Sequence, residues 1–224
     1  MVSKRANRAI GQIDLSRTDL RASGLESARQ MCRGLCQGRR IVGVSKGQFS
    51  SIDLVEAALD AAGPSDLLVT TWTIGRRDAE ILARLVRTGR AKSARVLCDR
   101  SFPTRHPDRF LAVVNALSGV LDADRDLAMT NVHAKFWVLT GGVFDVACTT
   151  SMNLNTNARF ESFDISCCGE IATFLLEVAA EVLEGGWGPA GAAGVERRFH
   201  EALDGRPTRP TVKVASWGSA PWRS

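Results

Sequence analysis

Short apolar runs alternate with amphipathic segments along most of the chain, and this pattern predicts strands that are followed by helices. Apolar and β-branched runs predict strands over 39–44, 66–74, 94–99, 127–129, 143–149 and 162–168. Apolar residues at helical spacing predict helices over 51–62, 78–87, 107–117 and 171–183, with weaker signals over 23–37 and 193–203. The expected fold class is therefore α/β, an α-β-α sandwich with helices on both faces of a mixed central sheet.

Glycine and proline mark several of the predicted boundaries. Gly63-Pro64 ends the helix over 51–62, and Pro107 lies at the start of the helix over 107–117, where its missing N–H has no cost. Gly141-Gly142 separates the segment that starts at His133 from the strand over 143–149, which predicts an antiparallel hairpin.

Charge is distributed unevenly along the 224 residues, which carry a net charge of +5. Residues 1–40 hold nine Lys and Arg against three acids, and residues 196–224 hold six against three, so the middle of the chain carries −4. We therefore expect a basic N-terminal extension over 1–39, a central domain over 40–186 and a partly extended C-terminal extension over 187–224. Basic arms favour contact with nucleic acid or another polyanion, and a merely solvated surface is the alternative.

The composition is typical of a globular domain, with 45% hydrophobic and 24% charged residues. No apolar run is long enough to span a bilayer, and no apolar segment follows the basic N-terminus, so the expected location is cytoplasmic and no membrane partner is expected. In that setting the six cysteines are expected to be reduced, and those at 148, 167 and 168 to be small core residues. Cys32 and Cys36 lack a second ligand pair, so no metal site is expected.

The candidate chemistry centres on His133-Ala-Lys135. If His133 begins a strand, its imidazole and the Lys135 ammonium project from the same face, because side chains at i and i+2 share a face. A returning strand would bring Ser151 and Asn153, another i and i+2 pair, opposite them. A histidine, a lysine, a hydroxyl and an amide that converge in this way could hold and attack a phosphate.

These residues resemble the phospholipase D superfamily, whose motif is H-x-K-x4-D, then G-[ST]-x-N and a later acid. The chain supplies His133-Ala-Lys135, Thr150-Ser151-Met-Asn153 and Glu161, and the resemblance extends over roughly residues 40–185. It implies a phospholipase D-like α-β-α sandwich with a mixed sheet. Upstream, the segments Leu67–Ile74 and Arg95–Asp99 are similar to the family's first half-domain in order and spacing.

The resemblance also implies a mechanism. His133 would attack phosphorus and form a phosphohistidine, while Lys135 and Asn153 would hold the non-bridging oxygens. Ser151 would add a hydrogen bond, and Glu161 would orient an imidazole. No metal or other cofactor is implied. The chain has one such motif, so a homodimer would have to bring two His133 residues together in one shared site.

The chain departs from the family pattern at the motif aspartate, which is Thr140 here. The gap between Lys135 and Asn153 is also longer, and Gly141-Gly142 could absorb the difference. Asp145 is a candidate to replace the lost acid.

Three further residues are candidates for substrate binding. Arg76 and Arg77 follow the strand that ends near Trp72, so they could contact a substrate phosphate, or they could form a solvated turn. Trp72 and Trp137 are expected in the core. A stacking role is the alternative for both, and Trp72 is the candidate for substrate binding.

The leading hypothesis for function is a metal-independent phosphodiesterase, of the nuclease type, acting on DNA or RNA. A lipid-directed phosphodiesterase is disfavoured, because no amphipathic membrane-binding stretch stands out. The alternatives are a catalytically degenerate fold that binds nucleic acid or protein, motivated by Thr140, and a component of a larger assembly such as a phage particle.

Overall fold

The computed structural model describes residues 18–21, 28–122, 126–156 and 158–183. Within these ranges the strands are β1 (Thr18–Arg21), β2 (Arg40–Ser45), β3 (Ser65–Thr71), β4 (Ala91–Asp99), β5 (Leu127–Thr130), β6 (Phe136–Thr140), β7 (Val146–Thr150) and β8 (Glu161–Ser166). The helices are α1 (Ala28–Met31), α2 (Ser51–Ala62), α3 (Arg76–Arg87), α4 (Phe102–Arg105), α5 (Pro107–Leu117) and α6 (Gly169–Leu183).

The eight strands form one mixed sheet in the order β1-β2-β8-β7-β6-β3-β4-β5. β1 is parallel to β2, and β3, β4 and β5 are mutually parallel, whereas β6 and β8 run antiparallel to their neighbours. β2, β3 and β7 therefore end at the same edge of the sheet at which β6 and β8 begin.

Alternating side chains on the strands create two cores, one on each face of the sheet. In β6, Trp137 and Leu139 pack in the core that includes α1 to α5, whereas Phe136 and Val138 pack in the core covered by α6. This alternation is the expected consequence of the two-residue period of a strand. The predicted α/β sandwich with a mixed central sheet is confirmed.

Helix α2 shows how local sequence fixes an element. The Ser50 N–H donates to the Asp53 carboxylate at 2.8 Å. This hydrogen bond satisfies a backbone donor just before the first turn of the helix. Gly63 has φ of +76° and its N–H donates to the Leu59 carbonyl, so the helix ends there as predicted.

Described parts of the segment over 1–39, which was predicted as a basic extension, contact the domain. β1 pairs with β2, and α1 and the turn after it bury Met31, Cys32 and Leu35 in the larger core. Apolar side chains tie this segment to the domain although its overall composition is basic. The α-helix in the predicted range 23–37 covers Ala28–Met31.

The predicted hairpin is confirmed, with β6 and β7 paired antiparallel around Gly141-Gly142. Gly141 has φ of +73°, a conformation that favours glycine. A Cβ at Gly142 would lie 2.4 Å from the Ala62 carbonyl oxygen, so only glycine fits where the turn packs against the end of α2.

All six cysteines lie in the described ranges and are free thiols, with Cys148 and Cys167 buried and Cys168 half-buried. Among the helices of the described residues, none has both the length and the apolar character that a bilayer crossing needs. The predicted helix over 193–203 and the C-terminal extension over 187–224 lie outside the described residues.

Candidate functional site

The candidate site lies at the edge of the sheet where β2, β3 and β7 end and β6 and β8 begin. Chain segments diverge there, so side chains near the strand ends can converge on a ligand without filling the core. His133, Lys135, Ser151, Asn153 and Glu161 all lie at or next to these strand ends.

His133 does not begin a strand, because β6 starts at Phe136. The side chain of Thr70 in β3 explains this boundary. Its hydroxyl accepts from the Phe136 N–H at 3.0 Å and contacts the Ala134 carbonyl at 3.1 Å. The side chain thus takes over hydrogen bonds that a neighbouring strand would make.

Lys135 nevertheless continues the line of the strand. Its carbonyl accepts from the Thr150 N–H at 2.9 Å, one step beyond the ladder between β6 and β7. The two side chains are close to each other: Lys135 Nζ lies 3.5 Å from His133 Nδ1 and donates to the His133 carbonyl at 2.8 Å. His133 is exposed and Lys135 is half-buried.

Burial lowers the pKa of the Lys135 ammonium, and the nearby Glu161 carboxylate opposes this effect. A charged ammonium beside Nδ1 has only donors to offer, so Nδ1 must act as the acceptor. The neutral imidazole then carries its proton on Nε2. A lysine that turned toward an incoming phosphate would release Nδ1 and permit the other tautomer.

Ser151 and Glu161 form a hydrogen-bonded pair across the end of β7 and the start of β8. The Ser151 hydroxyl donates to the Glu161 carboxylate and accepts from the Ser162 N–H at 3.0 Å. Glu161 makes no hydrogen bond to His133 in the part of the chain that the structure describes. Its direct electrostatic effect in the site falls on Lys135.

Asn153 is oriented by the end of β3. Its Oδ1 accepts from the Trp72 N–H at 3.2 Å, and the Thr71 hydroxyl lies 3.5 Å away. The next residue, Leu154, is held by Thr71 and Gly75, since its N–H donates to the Thr71 hydroxyl at 3.1 Å and its carbonyl accepts from the Gly75 N–H at 2.6 Å. With Oδ1 occupied, the two N–H donors of the Asn153 amide point away from Trp72.

The two tryptophans differ in their environments. Trp137 is completely buried, as predicted. Trp72 is half-buried, and its ring centre lies 5.8 Å from that of His133 at an interplanar angle of 50°. Its backbone is held on both sides, by Asn153 Oδ1 and by the Cys98 thiol, which donates to the Trp72 carbonyl at 3.5 Å. Trp72 therefore belongs to the candidate site rather than to the core.

Arg76 and Arg77 begin α3 at the same edge, but both guanidinium groups already have carboxylate partners. Arg76 pairs with Glu80 at 2.7 Å. Arg77 pairs with Asp53 at 2.9 Å and with Asp78 at 3.2 Å. A substrate phosphate would have to compete with these partners.

The two candidate motif-acid positions lie at the opposite end of β6. Thr140 ends that strand opposite Asp66, and Asp145 accepts from the Gly141 N–H at 3.4 Å. Five strand residues span about 16 Å, so neither side chain can reach His133 directly. Any effect of these positions on the site passes through the hairpin.

Comparisons with known proteins find similarity to solved structures, of which 11 chains match. No family model matches the chain, and no curated protein matches it. A solved structure of a phospholipase D family member, Nuc from Salmonella typhimurium, is similar with a TM-score of 0.49 and 16% identity, over 65% of this chain and 93% of that chain. At this identity no residue role is carried to the present chain.

Three contributors were not identified from the sequence. Thr70 and Thr71 position the segments that hold His133 and Asn153, and Arg105 lies over the Trp72 ring, with Cζ 5.7 Å from its centre. Arg105 follows β4 and therefore lies at the functional edge, which is the one signal in the sequence that could have indicated it.

Asp78, which is 1% exposed at the start of α3, is expected to make stability depend on pH. Within the described residues, its Oδ2 has no hydrogen-bond partner. Burial raises its pKa to about 6, although Arg77 opposes the shift. The folded state then binds this proton more tightly than the unfolded state, so the free energy of unfolding falls as the pH rises from about 4 to about 6, and then levels off.

The Asp78→Asn variant should lose this dependence. Between about pH 4 and pH 7, the free energy of unfolding of the variant should rise relative to that of wild type by on the order of 2–3 kcal/mol. Urea unfolding measures this difference. Glu80→Gln, on the exposed face of the same helix, is the control. If the free energy of unfolding had the same pH dependence in wild type and in Asp78→Asn, the raised pKa of Asp78 would be contradicted.

Proposed function

We propose that the protein is a metal-independent phosphodiesterase that acts through His133, with nucleic acid as the substrate. The observation that carries the proposal is the contact between His133 Nδ1 and Lys135 Nζ at 3.5 Å, at the same edge of the sheet as the Asn153 amide that the Trp72 N–H orients. An exposed imidazole next to an ammonium and two amide donors suits a phosphate group. The sequence resemblance to the phospholipase D superfamily supports the same chemistry.

In the proposed reaction, the phosphate binds between Lys135 and Asn153. Lys135 moves its donors from Nδ1 to a non-bridging oxygen, which leaves Nε2 of the suitable tautomer free to attack phosphorus. The bond to the leaving oxygen breaks as the bond from nitrogen to phosphorus forms. Lys135 and the Asn153 amide stabilise the charge that develops on the oxygens.

The leaving oxygen needs a proton, and water must later release the phosphoryl group. We propose that the His133 of a second copy supplies the proton and then activates the water. Neither of the other histidines stands in a second H-x-K motif. The active form is thus a homodimer with one shared site.

The test uses a labelled oligonucleotide and bis(p-nitrophenyl) phosphate, each incubated with the protein in EDTA. We expect turnover of at least one of them and an acid-labile phosphoryl adduct on His133 after rapid quenching. The absence of turnover on DNA, RNA and the small diester would contradict the proposal.

A noncatalytic module for binding nucleic acid is the second candidate, and Thr140 at the motif-acid position favours it. Oligonucleotide binding that weakens with salt and survives His133→Ala, without turnover of any diester, would support this candidate. A phosphohistidine at position 133 would exclude it.

Replacing Asn153 with aspartate tests the role of its amide in the proposed reaction. Aspartate keeps an oxygen to accept the Trp72 N–H but has no N–H donor, and it adds a negative charge beside the phosphate. We expect kcat to fall on the order of 10²-fold or more while the thermal midpoint changes little. Unchanged kcat in a folded Asn153→Asp variant would show that the amide does not contact the transition state.

A further inference from the structure

Arg105, Trp72 and His133 form a row of three side chains at the functional edge. The Arg105 guanidinium carbon lies 5.7 Å from the centre of the Trp72 ring. The Trp72 ring centre lies in turn 5.8 Å from that of His133. We call this arrangement the Arg105 row. It places a cation and the candidate nucleophile near the same tryptophan ring.

The backbone that carries Arg105 is well anchored. Arg105 ends α4, and its N–H donates to the Ser101 carbonyl at 2.8 Å. Ser101 is tied to the end of β4 through its N–H, which donates to the Asp99 carboxylate at 2.9 Å. Phe102, at the start of α4, is buried in the larger core. The exposed side chain of Arg105 therefore projects from a fixed point.

Arg105 differs in its charge environment from the arginines that pair with carboxylates. Six arginines in the described residues form ion pairs with carboxylates, at positions 29, 40, 76, 77, 84 and 90. Within the same ranges, no carboxylate lies within ion-pair distance of Arg105. Stacking on an indole leaves the edge of the guanidinium free to donate to a phosphate.

We propose that Arg105 binds a second phosphate of the substrate, next to the phosphate that His133 attacks. This inference rests on the proposed function. The two separations in the Arg105 row place the guanidinium at most about 11.5 Å from the imidazole. One nucleic-acid strand carries a phosphate about every 3.4 Å of helix axis, so the next phosphates along the strand fall within this reach. The substrate is therefore a polynucleotide strand rather than a diester with a single phosphate.

Arg105 replaces Arg76 and Arg77 as the leading candidate for the phosphate contact. The phosphate would displace no carboxylate of the described residues from Arg105, whereas it would have to displace Glu80 from Arg76 and Asp53 from Arg77. Bidentate binding by a planar guanidinium also explains why arginine rather than lysine suits this position.

The test compares Arg105→Gln and Arg105→Lys with Arg87→Gln. Arg87 is an exposed arginine at the end of α3 remote from the site, and its substitution removes the same charge. Binding of a fluorescent single-stranded oligonucleotide is measured over a range of salt concentrations, with His133→Ala in every protein to prevent cleavage. Steady-state kinetics with His133 intact use the oligonucleotide and bis(p-nitrophenyl) phosphate.

We expect Arg105→Gln to weaken oligonucleotide binding by about 5- to 10-fold. The slope of log K against log salt concentration should fall by about 1, which corresponds to the loss of one phosphate contact. The substitution should raise KM for the oligonucleotide by a factor similar to the loss of binding and leave the kinetics of the small diester unchanged. Arg105→Lys should be intermediate, and Arg87→Gln should match wild type.

Equal binding by Arg105→Gln and Arg87→Gln would overturn the inference. Equal losses of activity on the oligonucleotide and on bis(p-nitrophenyl) phosphate would also overturn it, because Arg105 would then act on the imidazole through Trp72. If wild type hydrolyses neither substrate, the proposed function fails, and the binding comparison alone decides the role of Arg105. Absence of oligonucleotide binding by the His133→Ala protein overturns the second-phosphate contact outright.

Discussion

Replacing His133 with alanine is expected to lower phosphodiester cleavage on the order of 10³-fold or more. The methyl group cannot form the covalent bond to phosphorus, so no other residue of the motif compensates. Lys135 and Asn153 remain, and substrate binding should survive. The measurement is the initial rate of oligonucleotide cleavage in EDTA, at equal concentrations of folded protein.

The fold should tolerate this substitution. The His133 side chain is exposed and lies outside β6, so the free energy of unfolding should change by no more than about 0.5 kcal/mol. His133→Asn, which keeps a polar side chain, is the matched variant and should be equally inactive. Cleavage at the wild-type rate by either variant would rule out His133 as the nucleophile.

Mixing wild type with His133→Ala tests the shared site. If subunits exchange freely, an equal mixture contains about one quarter wild-type dimers, so the activity should fall to about a quarter of that of undiluted wild type. If each subunit had an independent site, the mixture would keep about half of the activity of undiluted wild type. The outcome separates a composite site from one that each subunit completes alone.

Replacing Trp137 with alanine is expected to give the largest loss of stability, about 3–5 kcal/mol. Trp137 is fully buried in β6, which lies between β3 and β7. Its removal leaves a large cavity in the core shared with α1 to α5. Urea unfolding at neutral pH measures the loss.

Trp137→Phe is the informative control, because the indole Nε1 has no hydrogen-bond partner among the described residues. Phenylalanine keeps much of the ring and removes the unpaired N–H, whose burial costs about 1–3 kcal/mol. We expect Trp137→Phe to be at least about 2 kcal/mol more stable than Trp137→Ala. Equal losses for the two variants would contradict the cavity argument, because phenylalanine fills most of the space that alanine leaves empty.

Much of the fold could be predicted from hydrophobic periodicity. The helix over 107–117 was predicted at the bounds the structure gives, and Gly63 ends α2 as expected. β1 was missed, because four residues in a basic segment give little pattern. Net composition likewise hid the few apolar residues of the segment before residue 39 that join the core.

The candidate site was only partly predictable. The spacing of His133 and Lys135 indicated neighbouring side chains, and their observed contact agrees. The role of Thr70 and the orientation of the Asn153 amide could not be inferred, since they depend on hydrogen bonds to segments more than 60 residues away. The same holds for Arg105, whose position over Trp72 requires β3 and β4 to be adjacent.

The sequence by itself determined the α/β class, most helices and strands, and the motif that places a histidine beside a lysine. These features depend on periodicity and short spacing, which local interactions enforce. Only the tertiary structure decided where β6 begins, which arginines are neutralised by carboxylates, and that Trp72 lies against His133 rather than in the core. Those outcomes depend on which distant strand ends meet at one edge, and the packing of the whole sheet sets that arrangement.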